Sequence, residues 1–117
     1  MTDKIKKGEQ GEQMAANFLK EKGYAILERN YRYKHSEIDL IVQKGNWVVF
    51  VEVKTRTSET FGYPEDFVDD KKAEKILEGA DQYLFEKKWE GNVRYDIISI
   101  TIKKNIPEIV HFEDAFH

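Results

Sequence analysis

Trp47-Val48-Val49-Phe50-Val51-Glu52-Val53-Lys54 is the stretch on which the fold turns. Its apolar residues fall on both alternating faces, the pattern of a strand covered on two sides, and Glu52 interrupts them. Just upstream, Lys44-Gly45-Asn46 reads as a turn, and Glu37–Gln43 before it alternates polar and apolar. The two runs are therefore predicted to pair as an antiparallel hairpin. Tyr24–Arg32, rich in aromatic and aliphatic residues, adds a third strand to make a meander.

Outward from that meander lie two helices. Ala15, Phe18 and Leu19 stand at helical spacing, and Gly23 is placed to end a helix running from about Gly8 to Lys22. Ala73, Ile76, Leu77, Ala80, Tyr83 and Leu84 form one apolar stripe in a second helix from about Asp69 to Lys88. Thr55–Asp66, with Gly62 and Pro64, reads as a loop. Val93–Ile102 alternates with β-branched enrichment, and Ile109–Phe112 after Pro107 suits a short edge strand. The order is α-β-β-β-α-β with a final β. A helical crossover makes Trp47–Lys54 and Val93–Ile102 parallel, so the expected architecture is a single α/β domain over residues 1–117, a mixed sheet with a helix on each face.

Composition narrows the function classes. A chain of 117 residues fits one core, and the absence of cysteine excludes disulfides, thiolate catalysis and cysteine-ligated metal. The longest apolar run, Trp47 to Val51, is far short of the roughly 20 residues that span a bilayer, and the charged start lacks a signal-peptide core, so a cytoplasmic protein with no membrane partner is expected. A formal charge of −3 does not by itself suggest a polyanion binder. Its distribution is uneven, with +3 over residues 1–35 and −6 over the remainder.

Acids in apolar strands are the anomaly. An ionised carboxylate is costly to bury unless it is paired, hydrogen-bonded or bound to metal, and Glu52 shares a face with Lys54 one step on. On the neighbouring strand Glu37, Asp39 and Ile41 are expected on one face, with Ile38, Leu40 and Val42 on the other. Counting from Gly45, Asp39 and Glu52 come within a residue of being opposite. Adjacent carboxylates weaken a sheet unless a cation lies between them. In the first helix, Glu12 precedes Ala15 by three and Leu19 by seven, which places it on the apolar stripe. Such an oxygen-rich set suits Mg²⁺ or Mn²⁺ rather than zinc. His35, His111 and His117 are isolated, although His35 closely precedes the acidic strand. The plainer alternatives are Glu52 and Lys54 pairing at a strand exit, and a solvated acidic face on the preceding strand.

Where a cation does bind, it polarises a phosphodiester and activates water, while Lys54 orients the hydroxide or neutralises developing charge. Arg56 offers bidentate phosphate contact. Further phosphate contacts are expected from Lys4, Lys6, Lys7, Arg32 and Lys34, and Glu37 is an accessory acid.

Glu37-Ile38-Asp39-Leu40-Ile41 and Val49-Phe50-Val51-Glu52-Val53-Lys54-Thr55-Arg56 resemble the signature of the bacterial YraN-like family. The likeness extends to Gly11-Glu12, Gly23-Tyr24, Asn30-Tyr31-Arg32, Phe61-Gly62 and Arg94-Tyr95-Asp96, nearly the whole chain. That family is similar to the PD-(D/E)XK nucleases and, among them, to archaeal Holliday-junction resolvases. The resemblance implies a restriction-endonuclease-like core. It also implies Asp39, Glu52 and Lys54 as catalytic residues, with Glu12, Asp39, Glu52 and the Val53 carbonyl as metal ligands. Ile38 stands where many relatives have proline, and Ser36 where glycine is usual.

The leading expectation is thus an Mg²⁺- or Mn²⁺-dependent endonuclease acting on DNA, including branched or damaged structures. A junction-cutting enzyme needs two sites related by a two-fold axis, so a homodimer is carried with nucleic acid as an expected partner. The alternative is a non-catalytic nucleic-acid-binding or interaction module that keeps the fold. A small-nucleotide phosphoesterase is disfavoured by the lack of a glycine-rich phosphate loop.

Overall fold

Gly45 and Asn46 alone join Lys44 to its partner Trp47, and this two-residue turn fixes the register of the sheet. The computed structural model describes residues 3–57 and 68–117, with side chains from residue 9 to 56 and from 68 onward. The elements are α1 (Asp3–Glu21), β1 (Ala25–Tyr33), β2 (Ser36–Lys44), β3 (Trp47–Thr57), α2 (Asp70–Lys87), β4 (Asn92–Lys103) and β5 (Ile106–Phe112). The five strands lie in sequence order, β1 to β3 an antiparallel meander, β4 parallel to β3, and β5 antiparallel to β4. The parallel pair flanks α2, as the crossover reading requires.

Each face of the sheet carries one helix. Ala15, Ala16 and Leu19 of α1 pack with Leu40, Val42, Val49, Val51, Ile98 and Ile100. Ile76, Ala80 and Tyr83 of α2 pack with Ile41, Val48, Phe50 and Ile97. The two-sided apolar pattern of β3 thus divides by parity, odd residues toward α1 and even residues toward α2. Phe50 is the largest fully buried side chain, and it stacks on Tyr95 at 5.5 Å between ring centres.

Several boundaries differ from the sequence reading. Helix α1 begins by Asp3 rather than near Gly8, because nothing in Asp3–Lys7 breaks a helix. It ends as expected: Gly23 has φ 96°, and the amides of Gly23 and Tyr24 bond to the Lys20 and Leu19 carbonyls. Strand β3 continues through Thr57, since its parallel ladder with β4 extends to Thr57 opposite Ile102; the rest of the expected loop falls outside the described residues. The edge strand β5 includes Pro107, which an edge tolerates.

Alternation also fails once in β2. Ile38 packs with Ile41 in the cluster under α2 and not with Leu40, so the expected faces are wrong at that residue. The break coincides with Asn30 on β1, which has φ 52° and lies between the pairs Arg29–Leu40 and Tyr31–Ile38, opposite Asp39. Among the described residues no helix is long and apolar enough to cross a membrane.

Candidate functional site

The ladder between β2 and β3 runs from Lys44–Trp47 to Leu40–Val51 and stops. One further step sets Asp39 opposite Glu52, the register that the short turn implied. There the strands part, and the Val53 amide donates to Asp39 Oδ2 at 2.8 Å. In a strand the N–H and C=O of a residue leave on the same side, so the Val53 carbonyl also faces the opening and not β4.

Asp39 and Glu52 line the same cleft, close enough for each carboxyl to feel the other's charge. The Asp39 carboxyl is pushed up to about 9, first by burial, then by the hydrogen bond to Glu52 and its charge; the Val53 amide opposes the rise. Glu52 is only 5% exposed and forms an ion pair with Lys72 of α2. Two carboxyls thus lie together where the sheet opens, and a lysine from the crossover helix pairs with one of them.

These groups line a cleft of about 600 Å³. The sheet supplies Glu37, Asp39, Glu52, Val53 and Lys54, with His35 beside them, and α2 supplies Asp69, Lys71, Lys72, Lys75 and Ile76. Asp69 caps α2 by accepting from the Lys72 amide at 2.8 Å, which orients the first turn of the helix at the cleft. Lys54 shares the α2-facing side of β3 with Glu52, as its period-2 spacing predicted, and is exposed.

Glu12 occupies a different place from the cleft lining. Burial raises its pKa, with the charges of Glu37 and Glu52 adding to the rise and Asn30 and Arg29 opposing it. It lies close enough to act electrostatically on Asp39 as well. Gly11 explains its position: a Cβ there would overlap the Thr55 hydroxyl, so only glycine lets α1 approach β3 this closely. Among the described residues no three carboxylate or imidazole groups form a ready-made cation cage. The acids are arranged as a close pair with Glu12 behind it.

Other expected residues are less concentrated. Arg32 bonds Glu37 at 2.7 Å, its cross-strand partner, so both are engaged at the rim. Lys34 sits in the β1–β2 turn with its ammonium 5.2 Å from the Tyr33 ring centre. Arg56 lies half-buried two residues beyond Lys54, outside the residues that line the cleft. The side chains of Lys4, Lys6 and Lys7 fall outside the described residues.

The profile of the family described as "Uncharacterised protein family UPF0102" matches residues 11–100, from Gly11 past the whole acidic site. The chain belongs to UPF0102. It is 41% identical over 109 residues to a UPF0102 protein of Christiangramia forsetii, covering 93% of this chain and 92% of that one. A UPF0102 protein of Cytophaga hutchinsonii is 45% identical over 97 residues, covering 83% and 86%. One from Persephonella marina is 43% identical over 111 residues, covering 94% and 92%. The YraN-like signature therefore identified the family correctly.

Three polar residues of this UPF0102 protein had no role assigned from sequence, Asn30 and Asp96 being named only within the family resemblance. Lys72 looked like one of many helix-surface lysines, and only the fold brings it to Glu52. Asn30 carried a signal, since asparagine is rare in strands and tolerant of positive φ. Asp96, fully buried on β4, is held by Arg94 at 2.9 Å through both oxygens, by His111 at 2.7 Å and by the Asp114 amide at 3.0 Å. Lys22 has only donors and contacts His111 Nδ1 at 2.9 Å, so Nδ1 accepts and Nε2–H donates to Asp96. This network binds β4, β5 and the end of α1 together on the side of the sheet facing α1.

Proposed function

We propose that this UPF0102 protein is a divalent-cation-dependent endonuclease that hydrolyses phosphodiester bonds in DNA. The observation that carries the reading is the Asp39–Glu52 pair at the point where β2 and β3 part, with Lys54 on the same side of the same cleft. Two carboxyls, a carbonyl edge and no nearby thiol form a hard-oxygen donor set, which fits Mg²⁺ or Mn²⁺. The likeness to PD-(D/E)XK nucleases supports the same roles and a restriction-endonuclease-like core.

In this reading Asp39, Glu52 and the Val53 carbonyl hold the cation, and Glu12 adds negative charge from α1. When bound, the cation supplies a polarised phosphate and a more acidic water. Lys54 places positive charge where a phosphorane would develop negative charge. Val53 N–H fixes the Asp39 carboxyl in place. A cation held there would favour the ionised form of Asp39, whose proton would pass to solvent. Branched DNA as substrate, and the second copy of the chain that it would need, belong to this proposal.

One observation favours a second reading, a non-catalytic nucleic-acid-binding module. Lys72 already satisfies Glu52, and Val53 already satisfies Asp39, so the acids are accounted for without metal. The two readings separate in one experiment. Labelled duplex, single-stranded, flap and four-way-junction DNA are incubated with protein in Mg²⁺, in Mn²⁺ and with chelator, beside Glu52→Ala and Lys54→Ala. The nuclease reading expects cleavage abolished by chelator and by Glu52→Ala, and reduced about a hundredfold or more by Lys54→Ala. DNA binding without cleavage, unchanged in Glu52→Ala, supports the module.

A further inference from the structure

We propose that the first turns of α2 form the DNA-backbone contact of this cleft, with Lys71 and Lys75 as its two phosphate-holding residues. The inference rests on the nuclease reading and adds to it the wall against which the strand lies. Lys71 and Lys75 stand four residues apart on one side of α2, about 6 Å along its axis. Both are exposed and both line the cleft that holds Asp39 and Glu52. Among the described residues neither takes part in an ion pair, whereas Lys72 between them is committed to Glu52.

The other basic groups are placed less favourably. Arg32 is tied to Glu37, Lys34 stands over Tyr33 in the turn, and Arg56 lies beyond the lining. Lys54 faces the cleft from the sheet, so lysines line it from both β3 and α2. Positive charge spread along a helical turn, beside an open cleft, suits consecutive phosphates of a polynucleotide better than a single phosphate. The electrostatic objection raised by the overall charge of −3 is thereby answered locally.

The test measures binding of a labelled DNA duplex by fluorescence anisotropy across a salt series, in Ca²⁺ as a hard-cation stand-in. Wild type is compared with Lys71→Ala/Lys75→Ala and with Lys20→Ala/Lys87→Ala. The control pair removes the same charge from the last turns of α1 and α2, at the far ends of both helices. Alanine keeps both helices intact. The expected result is a salt slope shallower by about 1.8 for Lys71→Ala/Lys75→Ala, two phosphate contacts at roughly 0.9 each, and a weakening of at least tenfold. The control pair should keep the wild-type slope. Equal slopes for the two double variants would overturn the inference while leaving the nuclease reading standing. Absence of wild-type binding to the duplex and to a four-way junction alike would overturn both.

Discussion

Lys72, on the first full turn of the crossover helix, forms an ion pair with Glu52, on the central strand, and so occupies the charge position that a divalent cation would take beside Asp39. The contact couples α2 to the acid pair. Lys72→Met removes the counter-ion while keeping the hydrocarbon stem. It leaves a nearly buried carboxylate uncompensated, and stability should fall by about 1–2 kcal/mol, discounted because Lys72 is partly exposed. The urea midpoint reads that loss. Calorimetric Mn²⁺ affinity should rise, and an unchanged or weaker affinity would contradict competition between lysine and cation.

The raised Asp39 carboxyl makes stability depend on pH. Asp39 titrates near 9 in the fold and near 4 when unfolded, so between those values the native state binds the extra proton. Stability contributed by this group is therefore lost as pH rises from about 4 to about 9. Asp39→Asn keeps an oxygen for the Val53 amide and removes the titration. Denaturation across that window should show a flatter profile for the variant, and higher stability than wild type at the alkaline end. Parallel profiles would exclude Asp39 as the proton carrier.

Gly11 sets the distance between α1 and the sheet. Gly11→Ala drives a Cβ into the Thr55 hydroxyl and should cost about 1–3 kcal/mol, the range for overpacking. Thr55→Ala in the same chain should recover part of it. A double-mutant cycle measures the coupling, and strict additivity would show that the two residues do not meet.

Asp96 should behave in the opposite sense from Asp39. Burial alone would raise its carboxyl, but His111, Arg94 and the Asp114 amide outweigh burial and hold it below the usual range. Its contribution is present above about pH 4 and is lost as pH falls through the folded value. Asp96→Asn should cost about 3 kcal/mol near neutrality and progressively less in acid, read from urea midpoints. A constant difference at every pH would remove the charge from the explanation.

Much of the fold was legible because β3 reports its own surroundings. Its apolar residues on both faces implied two covering helices, and the turn at Gly45 implied a register that places Asp39 beside Glu52. Local pattern could not show where that register breaks. The positive φ at Asn30 and the switched face of Ile38 belong to the pairing of β1 with β2, which no single stretch of sequence carries. Lys72 was hidden for a related reason, since helix periodicity says which side of α2 is apolar but not which strand residue a surface lysine will reach.

The Asp39–Glu52 pair is the proposed seat of a hard divalent cation, and calorimetric titration of Mn²⁺ into wild type and Glu52→Ala tests that proposal most directly. Repeating the titration in buffers of different ionisation enthalpy reads out the protons released. Saturable binding accompanied by proton release, and lost in Glu52→Ala, is the predicted result. Binding of equal strength in both proteins, or none in wild type up to millimolar Mn²⁺, would contradict it.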